Sequence, residues 1–369
     1  MIVFAINPGS TSTKVALIEM EYADAQPKVI VSANVPHDAK VLDQYQTLKD
    51  QYPYRLETIE KILEEKEIDL SQVDAFVGRG GGLISMEGGT YEVTDFMMKH
   101  GMNGANGVIH PANLGTVLAG EFAKKFKKPA FTVNPPDVDE LQDIARVTGL
   151  KGVNRVIHLH ALNLKETAIR HAAFFKEQYK DNNYVVCHIG GGISVSAHRQ
   201  GKMVDGYDIV GGEGPMAPTR SGSISVIDLL NYIKENSLDD AKKICTKTGG
   251  LVNHLGTSDA LEVSQRAKAG DAYAKLVWDA MIYQIEKCIG AMAVVLRGKV
   301  DGILLGGGMV HNKELVADIR EACEFIAPVY DYPGEFEMEA MASGAVRVLC
   351  GKEEIKQYTG KPCWSGFQL

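Results

Sequence analysis

Asn7-Pro8-Gly9-Ser10-Thr11-Ser12-Thr13-Lys14 lies between an apolar run at residues 2–6 and a stretch in which Val15 and Leu17 alternate with other residues toward Glu19. Its residues are turn formers and hydroxyl carriers ending in a lysine, so the segment predicts strand, tight loop, strand: a hairpin. The same plan returns at mid-chain. Residues 184–189 predict a strand, Gly190-Gly191-Gly192 a loop and residues 193–198 a second strand, after which Gln200-Gly201-Lys202 turns into Met203-Val204-Asp205. Two like hairpins predict that the halves of the chain are related copies.

Working outward, residues 73–77 predict a strand leading into Gly78-Arg79-Gly80-Gly81-Gly82, and residues 130–133 and 300–305 predict two more. Helical spacing is read at residues 56–67, 115–126, 163–179, 224–235, 260–269 and 278–296, and from about Lys313. Strands alternating with helices predict an α/β fold with partly parallel sheets. A chain of 369 residues is long enough for two domains. With 45% hydrophobic and 23% charged residues it is globular in composition. No apolar run reaches the ~18–20 residues of a membrane span. A formal net charge of -8 argues against a general nucleic-acid surface while leaving room for a local phosphate pocket. The start carries no basic segment and no cleavage site, which makes the cytoplasm the expected location. Six cysteines stand far apart with no C-x-x-C pair, so neither a disulfide framework nor a zinc site is expected.

Glycine is the unusual count, 38 residues, and it is clustered at strand ends. A nucleotide's phosphates need several backbone N–H donors at close range, and glycine allows that approach because it carries no Cβ. Lys14 closes the first loop as a point charge able to reach a phosphate. The two standard alternatives fail on context. No G-x-x-x-x-G-K-[ST] string occurs, and the first strand runs into a hairpin instead of the glycine-rich helix start of a dinucleotide fold. Gly306-Gly307-Gly308, between a strand and a helix, suits a nucleotide base or sugar.

These strings resemble the acetokinase family of the actin-like ATPase superfamily. Asn7 to Lys14 looks like its first phosphate loop, His188-Ile189-Gly190-Gly191-Gly192 like its second, Thr219-Arg220-Ser221-Gly222 like its T-R-x-G element, and the segment ending at Gly308 like its adenosine element. The matches keep the family's order and span nearly the whole chain. Gly78-Arg79-Gly80-Gly81-Gly82, His160-Ala161-Leu162-Asn163 and Pro333-Gly334-Glu335-Phe336-Glu337-Met338-Glu339 resemble the butyrate kinase branch. The R-x-x-H-G-G and F-D-T-A-F-H strings of acetate kinases are absent.

The resemblance implies two duplicated actin-like (ribonuclease H-like) domains with mixed sheets flanked by helices and a cleft between them. The N-terminal one, residues 1–140 plus about 345–369, would carry the carboxylate elements, and residues 141–344 the nucleotide elements. It implies reversible phosphoryl transfer from ATP to a short-chain carboxylate, giving ADP and an acyl phosphate, with Mg²⁺ and a homo-oligomer of at least two chains. Butyrate is the expected acid, with acetate, propionate and isobutyrate as alternatives; an actin-like ATPase making no acyl phosphate is the reading from another class. By the same resemblance Arg79 holds the carboxylate, Arg220 stabilises the transition state, and His160 is the transition-state histidine, with His158 its nearest competitor. Ser10, Thr11, Ser12, Lys14, His188, Gly190, Gly191 and Gly192 meet the ATP phosphates. Asp259, Gly306, Gly307 and Gly308 meet the nucleoside. Asn7 and Glu337 are carried over as metal ligands, with Glu339 as alternative. The sequence departs from the family pattern twice. Asn134 stands where acetate kinases have an aspartate, so it orients groups and shuttles no proton, with Asp137 and Asp139 nearby as substitutes. Asp139-Glu140 reads equally as a charge pair at a helix start. Leu261 replaces an arginine beside the nucleotide.

Overall fold

A computed structural model describes residues 1–367. The chain divides into two compact units, one made of Met1–Asp139 and the chain from Phe336 onward, the other of Glu140–Glu335.

The first unit is built on the first hairpin. β1 (Ile2–Pro8) and β2 (Ser12–Glu19) pair antiparallel from Ile2 opposite Glu19 to Pro8 opposite Thr13, and β3 (Lys28–Pro36) adds an antiparallel edge. β4 (Ala75–Gly78) pairs parallel with β1, and β6 (Ala130–Val133) parallel with β4; β5 (Thr90–Glu92) closes the far side against β6. The order is β3-β2-β1-β4-β6-β5. The helix Leu114–Phe126 is apolar nearly all round and packs on β1, β4 and β6, with Phe122 against Phe4 and Phe76. The helix Glu337–Leu349 packs on the same three strands, so the chain returns to this unit at Phe336, ahead of the expected position near residue 345.

The second unit repeats that plan. β7 (Asn183–Ile189), β8 (Ile193–Arg199) and β9 (Lys202–Gly206) form an antiparallel meander. β10 (Gly302–Gly307) lies parallel to β7 and β11 (Val329–Pro333) parallel to β10. The order β9-β8-β7-β10-β11 matches β3-β2-β1-β4-β6 strand for strand, so the duplication expected from the two hairpins is present in the topology. The helix Ala272–Val295 starts on an Asp271 cap and buries Val277, Met281, Ile285, Ile289 and Met292, one stripe at helical spacing.

Among the elements not expected are β3, β5, β11 and the helices Asp95–Asn103 and Glu337–Leu349. The helix expected from residue 56 begins at Leu48. Pro53 reads as a breaker, yet a Thr47–Asp50 capping box holds the helix start and the proline removes only one hydrogen bond near it. The helix expected to reach Tyr179 stops at Phe174. Gly306 and Gly307 end β10 and are not loop residues; only Gly308 opens the following turn. Asp139 and Glu140 start no helix. Glu140 instead takes an ion pair from Lys165 at 2.7 Å and the Met203 N–H at 2.8 Å. Glu337 and Glu339 occupy the first turn of the helix Glu337–Leu349.

Candidate active site

In the first unit the hairpin register sets Asn7 directly opposite Lys14, which places both side chains on one face of the ribbon, and Ser12 shares that face. A hydrogen bond from Gly9 N to Ser12 O at 2.7 Å closes the loop, leaving Ser10 and Thr11 exposed at its tip. Asn7, Ser12 and Lys14 line a cavity of about 340 Å³ together with Pro8, Gly9, Arg79, His110, Ala112, Pro136 and Glu337.

Arg79 follows the last residue of β4, and its backbone N–H donates to Ile6 O at 3.0 Å. Two glycines make this position possible. A Cβ on Gly78 would overlap the Gly115 carbonyl, and one on Gly115 would stand 2.7 Å from Arg79 N, so the helix start and the strand end touch backbone to backbone. The Arg79 side chain is buried. Its Nε lies 3.4 Å from Glu337 Oε1, while Nη1 has no hydrogen-bond partner. Asn7 Nδ2 donates to Glu337 Oε2 at 2.6 Å, which leaves the Asn7 carbonyl Oδ1 for a cation. Glu337 is thus the glutamate that meets both Asn7 and Arg79. Mg²⁺ typically takes one or two protein oxygens and completes its octahedron with phosphates and water, and this pair fits that demand. Among the described residues no cluster of three or more acidic, histidine or cysteine side chains offers a fuller metal cage.

Asn134 lies elsewhere. It sits at φ 38°, its Oδ1 accepts the Gly89 N–H at 2.7 Å, and its own N–H donates to Gly89 O at 3.0 Å. The side chain is a latch on the backbone near β5, and Pro136 is the member of its segment that lines the cavity. Asp137 Oδ1 accepts from Asn106 at 2.7 Å, and Asp139 N–H donates to Met86 O.

In the second unit the register sets His188 opposite Ser194 across β7 and β8. Ser194 Oγ lies 2.8 Å from His160 Nδ1, and the His160 and His188 rings are 4.1 Å apart at 31°. His158 turns away to Asp208, at 3.0 Å. Burial raises the Asp208 pKa, but the His158 hydrogen bond and charge and the backbone N–H groups of Gly211 and Val210 outweigh it, so the carboxyl is held below its ordinary value. His158 is therefore engaged, and His160 is the histidine beside His188, at the end of β7 that leads into the second glycine loop. That loop is closed by Gly190 N to Gly192 O, and Thr219 Oγ1 donates to Gly191 O at 3.2 Å. Arg220 lies over it so closely that a Cβ on Gly192 would overlap Nη1. Arg220 Nε and Nη1 are buried without hydrogen-bond partners, and burial lowers the guanidinium pKa.

Further along this unit a cavity of about 630 Å³ is lined by Asp259, Leu261, Trp278, Gly308, Asn312 and Lys313 among others. Asp259 Oδ1 accepts the Leu261 and Glu262 N–H groups, so this carboxylate caps the helix Ala260–Lys268 at the cavity wall. Gly307, at φ 102°, lies against the end of β7, where a Cβ would overlap the Ile189 carbonyl. Sequence reasoning missed Ser194 and Thr219 as supports of the histidine and of the loop. Counting cross-strand partners outward from Gly191 finds Ser194, but only the folded backbone brings Thr219 to Gly191.

The acetokinase family profile matches residues 149–331. Butyrate kinase 2 of Clostridium acetobutylicum is 43% identical over 355 residues, covering 96% of this chain and 98% of that protein. Two crystal structures share the fold: acetate kinase from Porphyromonas gingivalis, at TM-score 0.73 and 19% identity over 94% of this chain and 99% of that one, and acetate kinase from Entamoeba histolytica, at TM-score 0.73 and 15% identity over 93% and 98%. A propionate kinase from Francisella tularensis follows, at TM-score 0.67 and 18% identity over 93% and 98%.

Proposed function

This chain belongs to the acetokinase family, and from that premise we propose that it is a butyrate kinase, moving the γ-phosphoryl group of ATP reversibly onto butyrate to give butyryl phosphate and ADP. The observation that carries the chemistry is a pair of arginines, Arg79 buried and Arg220 half-buried, each with buried guanidinium N–H groups that no protein atom satisfies. Such donors are costly unless an anion arrives to meet them. The acid in the name of the 43% identical relative is what points to butyrate.

A carboxylic acid of pKa ~4–5 is ionised at pH 7, so the acceptor needs no general base. The work left to the protein is alignment and neutralisation of charge on the transferring group. In this reading Arg79 holds the butyrate carboxylate in the first unit, Ser10, Thr11, Ser12 and Lys14 receive the terminal phosphate, and Asn7 and Glu337 hold Mg²⁺. The ion, when bound, offsets phosphate charge. In the second unit Gly190, Gly191, Gly192 and His188 meet the phosphates, Asp259 and Gly306 to Gly308 meet the nucleoside, and Arg220 and His160 donate to the charge that builds on the phosphoryl oxygens. Asn134 orients the Gly89 backbone. A cytoplasmic location is part of the same reading; no helix of the described residues is long and apolar enough to cross a membrane. A homo-oligomer of at least two chains is part of the same reading, supported by the exposed apolar side chains of Val226, Ile227 and Leu230.

The test is a hydroxylamine trap with ATP, Mg²⁺ and a panel of acetate, propionate, butyrate and isobutyrate. Butyrate is expected to give the largest kcat/KM for hydroxamate. Phosphate release without an acid requirement would replace this reading with an ATPase. A different preferred acid would leave the chemistry standing and change the acceptor, since one methylene discriminates by only ~1–3 kcal/mol.

A further inference from the structure

Beneath the first hairpin loop lies a cation that the mechanism above does not use. Arg55, on the helix Leu48–Glu65, is 0% exposed. Its Nη1 donates to Gly9 O at 3.0 Å and to Thr13 Oγ1 at 3.3 Å, and its Nε donates to Gln51 Oε1 at 3.3 Å, while Nη2 is buried with no partner. Thr13 Oγ1 lies in turn 2.8 Å from His37 Nε2. Among the described residues no carboxylate stands at ion-pair distance from Arg55, whose pKa burial lowers. His37, just past β3, compensates nothing: burial, aided by the Arg55 charge, brings its pKa down to about 4.

A buried ion without a counter-ion is a folding liability, and this one sits under a loop whose Gly9, Ser12 and Lys14 line a cavity. The loop peptides are trans, so a carbonyl and the following N–H point in opposite directions. With Gly9 O drawn inward onto Arg55, the Ser10 N–H faces away from the guanidinium. We propose that Arg55 is a positioning residue for phosphate: it turns the Gly9–Ser10 peptide so that the N–H faces outward, and it supplies from below the positive charge that a phosphoryl group seated on this loop neutralises. The inference deepens the kinase reading and rests on it.

The experiment compares Arg55→Met and Arg55→Lys with the unsubstituted protein, using thermal unfolding, calorimetric binding of MgATP and hydroxamate kinetics across pH 6 to 9. Arg55→Met is expected to keep or raise Tm, since an apolar side chain replaces an unpaired buried charge. It should weaken MgATP binding about tenfold and lower kcat about 10²-fold. Arg55→Lys should recover activity near pH 6 and lose it as pH rises, because a buried ammonium sheds its proton far below its ordinary pKa. The wild-type guanidinium stays charged throughout, and His37 is already neutral in that window. A profile for Arg55→Lys parallel to wild type overturns the proposal, as does an Arg55→Met protein within twofold in both kcat and MgATP affinity. Should Arg55→Met fail to fold, the Arg55→Lys profile decides alone. Wild-type protein that binds MgATP but makes no hydroxamate would sink the acceptor assignment and leave Arg55 to be judged on MgATP affinity.

Discussion

Arg220 and Gly192 form a pair in which one residue is chosen by what it does and the other by what it lacks. The guanidinium occupies the space where a Gly192 Cβ would stand. Arg220→Ala removes its charge from the site and should lower kcat by at least ~10² with modest change in KM, since an arginine in phosphoryl transfer is worth ~10³–10⁵ in rate. Gly192→Ala leaves the arginine in the chain but displaces its head, and should lower kcat by ~10-fold or more at nearly unchanged Tm. Steady-state kinetics beside thermal unfolding separate the two effects. If Gly192→Ala matched wild type in kcat, the close approach would be irrelevant to turnover. The role of Arg220 followed from resemblance. The need for glycine at position 192 did not, because it arises from a side chain that is distant in sequence and folded over the loop.

At the scale of elements, the close seat of the helix Leu114–Phe126 on β4 depends on Gly78 and Gly115 meeting through bare backbone. Gly78→Ala forces two rigid backbones apart and is expected to destabilise the protein by about 1–3 kcal/mol. It should also weaken butyrate binding, because Arg79 is the next residue. Gly290→Ala is the contrasting case. Gly290 lies inside the helix Ala272–Val295 with nothing within 4 Å of the new Cβ, so the substitution should stabilise by about 0.5–1 kcal/mol. Urea midpoints measure both; equal shifts would refute the packing argument. The strands that sequence reading missed are also explained at this scale. β3, β5 and β11 are all edge strands. Hydrophobic alternation reports burial and needs length: Val29 and Ile30 of β3 are exposed, β5 buries Thr90 and Tyr91 but runs for only three residues, and β11 ends on Pro333, which an edge tolerates. The central strands β1, β2, β7 and β8, buried along most of their length, were legible from their apolar residues.

For the molecule as a whole, three buried histidines, His37, His171 and His198, tie stability to pH, each with its pKa lowered by burial. Burial lowers the His171 pKa to about 4, and burial with the Arg55 charge lowers that of His37 to about 4, against 6.5 for an ordinary histidine. The folded protein therefore refuses protons that the unfolded chain accepts. Their contribution is fully present above pH 6.5 and is lost as pH falls toward 4, at up to about 1.4 kcal/mol per pH unit for each group. Urea midpoints at pH 7.5, 6.5 and 5.5 should decline through that series. A midpoint unchanged or rising between pH 6.5 and 5.5 would contradict the neutral state of these side chains.

Local chemistry is written in the chain itself: glycine and hydroxyl loops between apolar strands, arginines at loop ends and the repeated hairpin together specify a duplicated α/β fold and the acetokinase signature. These are short-range patterns of conformation and burial, and they can be read without knowing what lies opposite. The contact of Glu337 with Asn7, the turning of His158 to Asp208, the use of Asn134 as a latch on Gly89 and the burial of Arg55 under Gly9 were decided only in three dimensions. Each is a contact between residues far enough apart in sequence that strand register and helix seating alone bring them together.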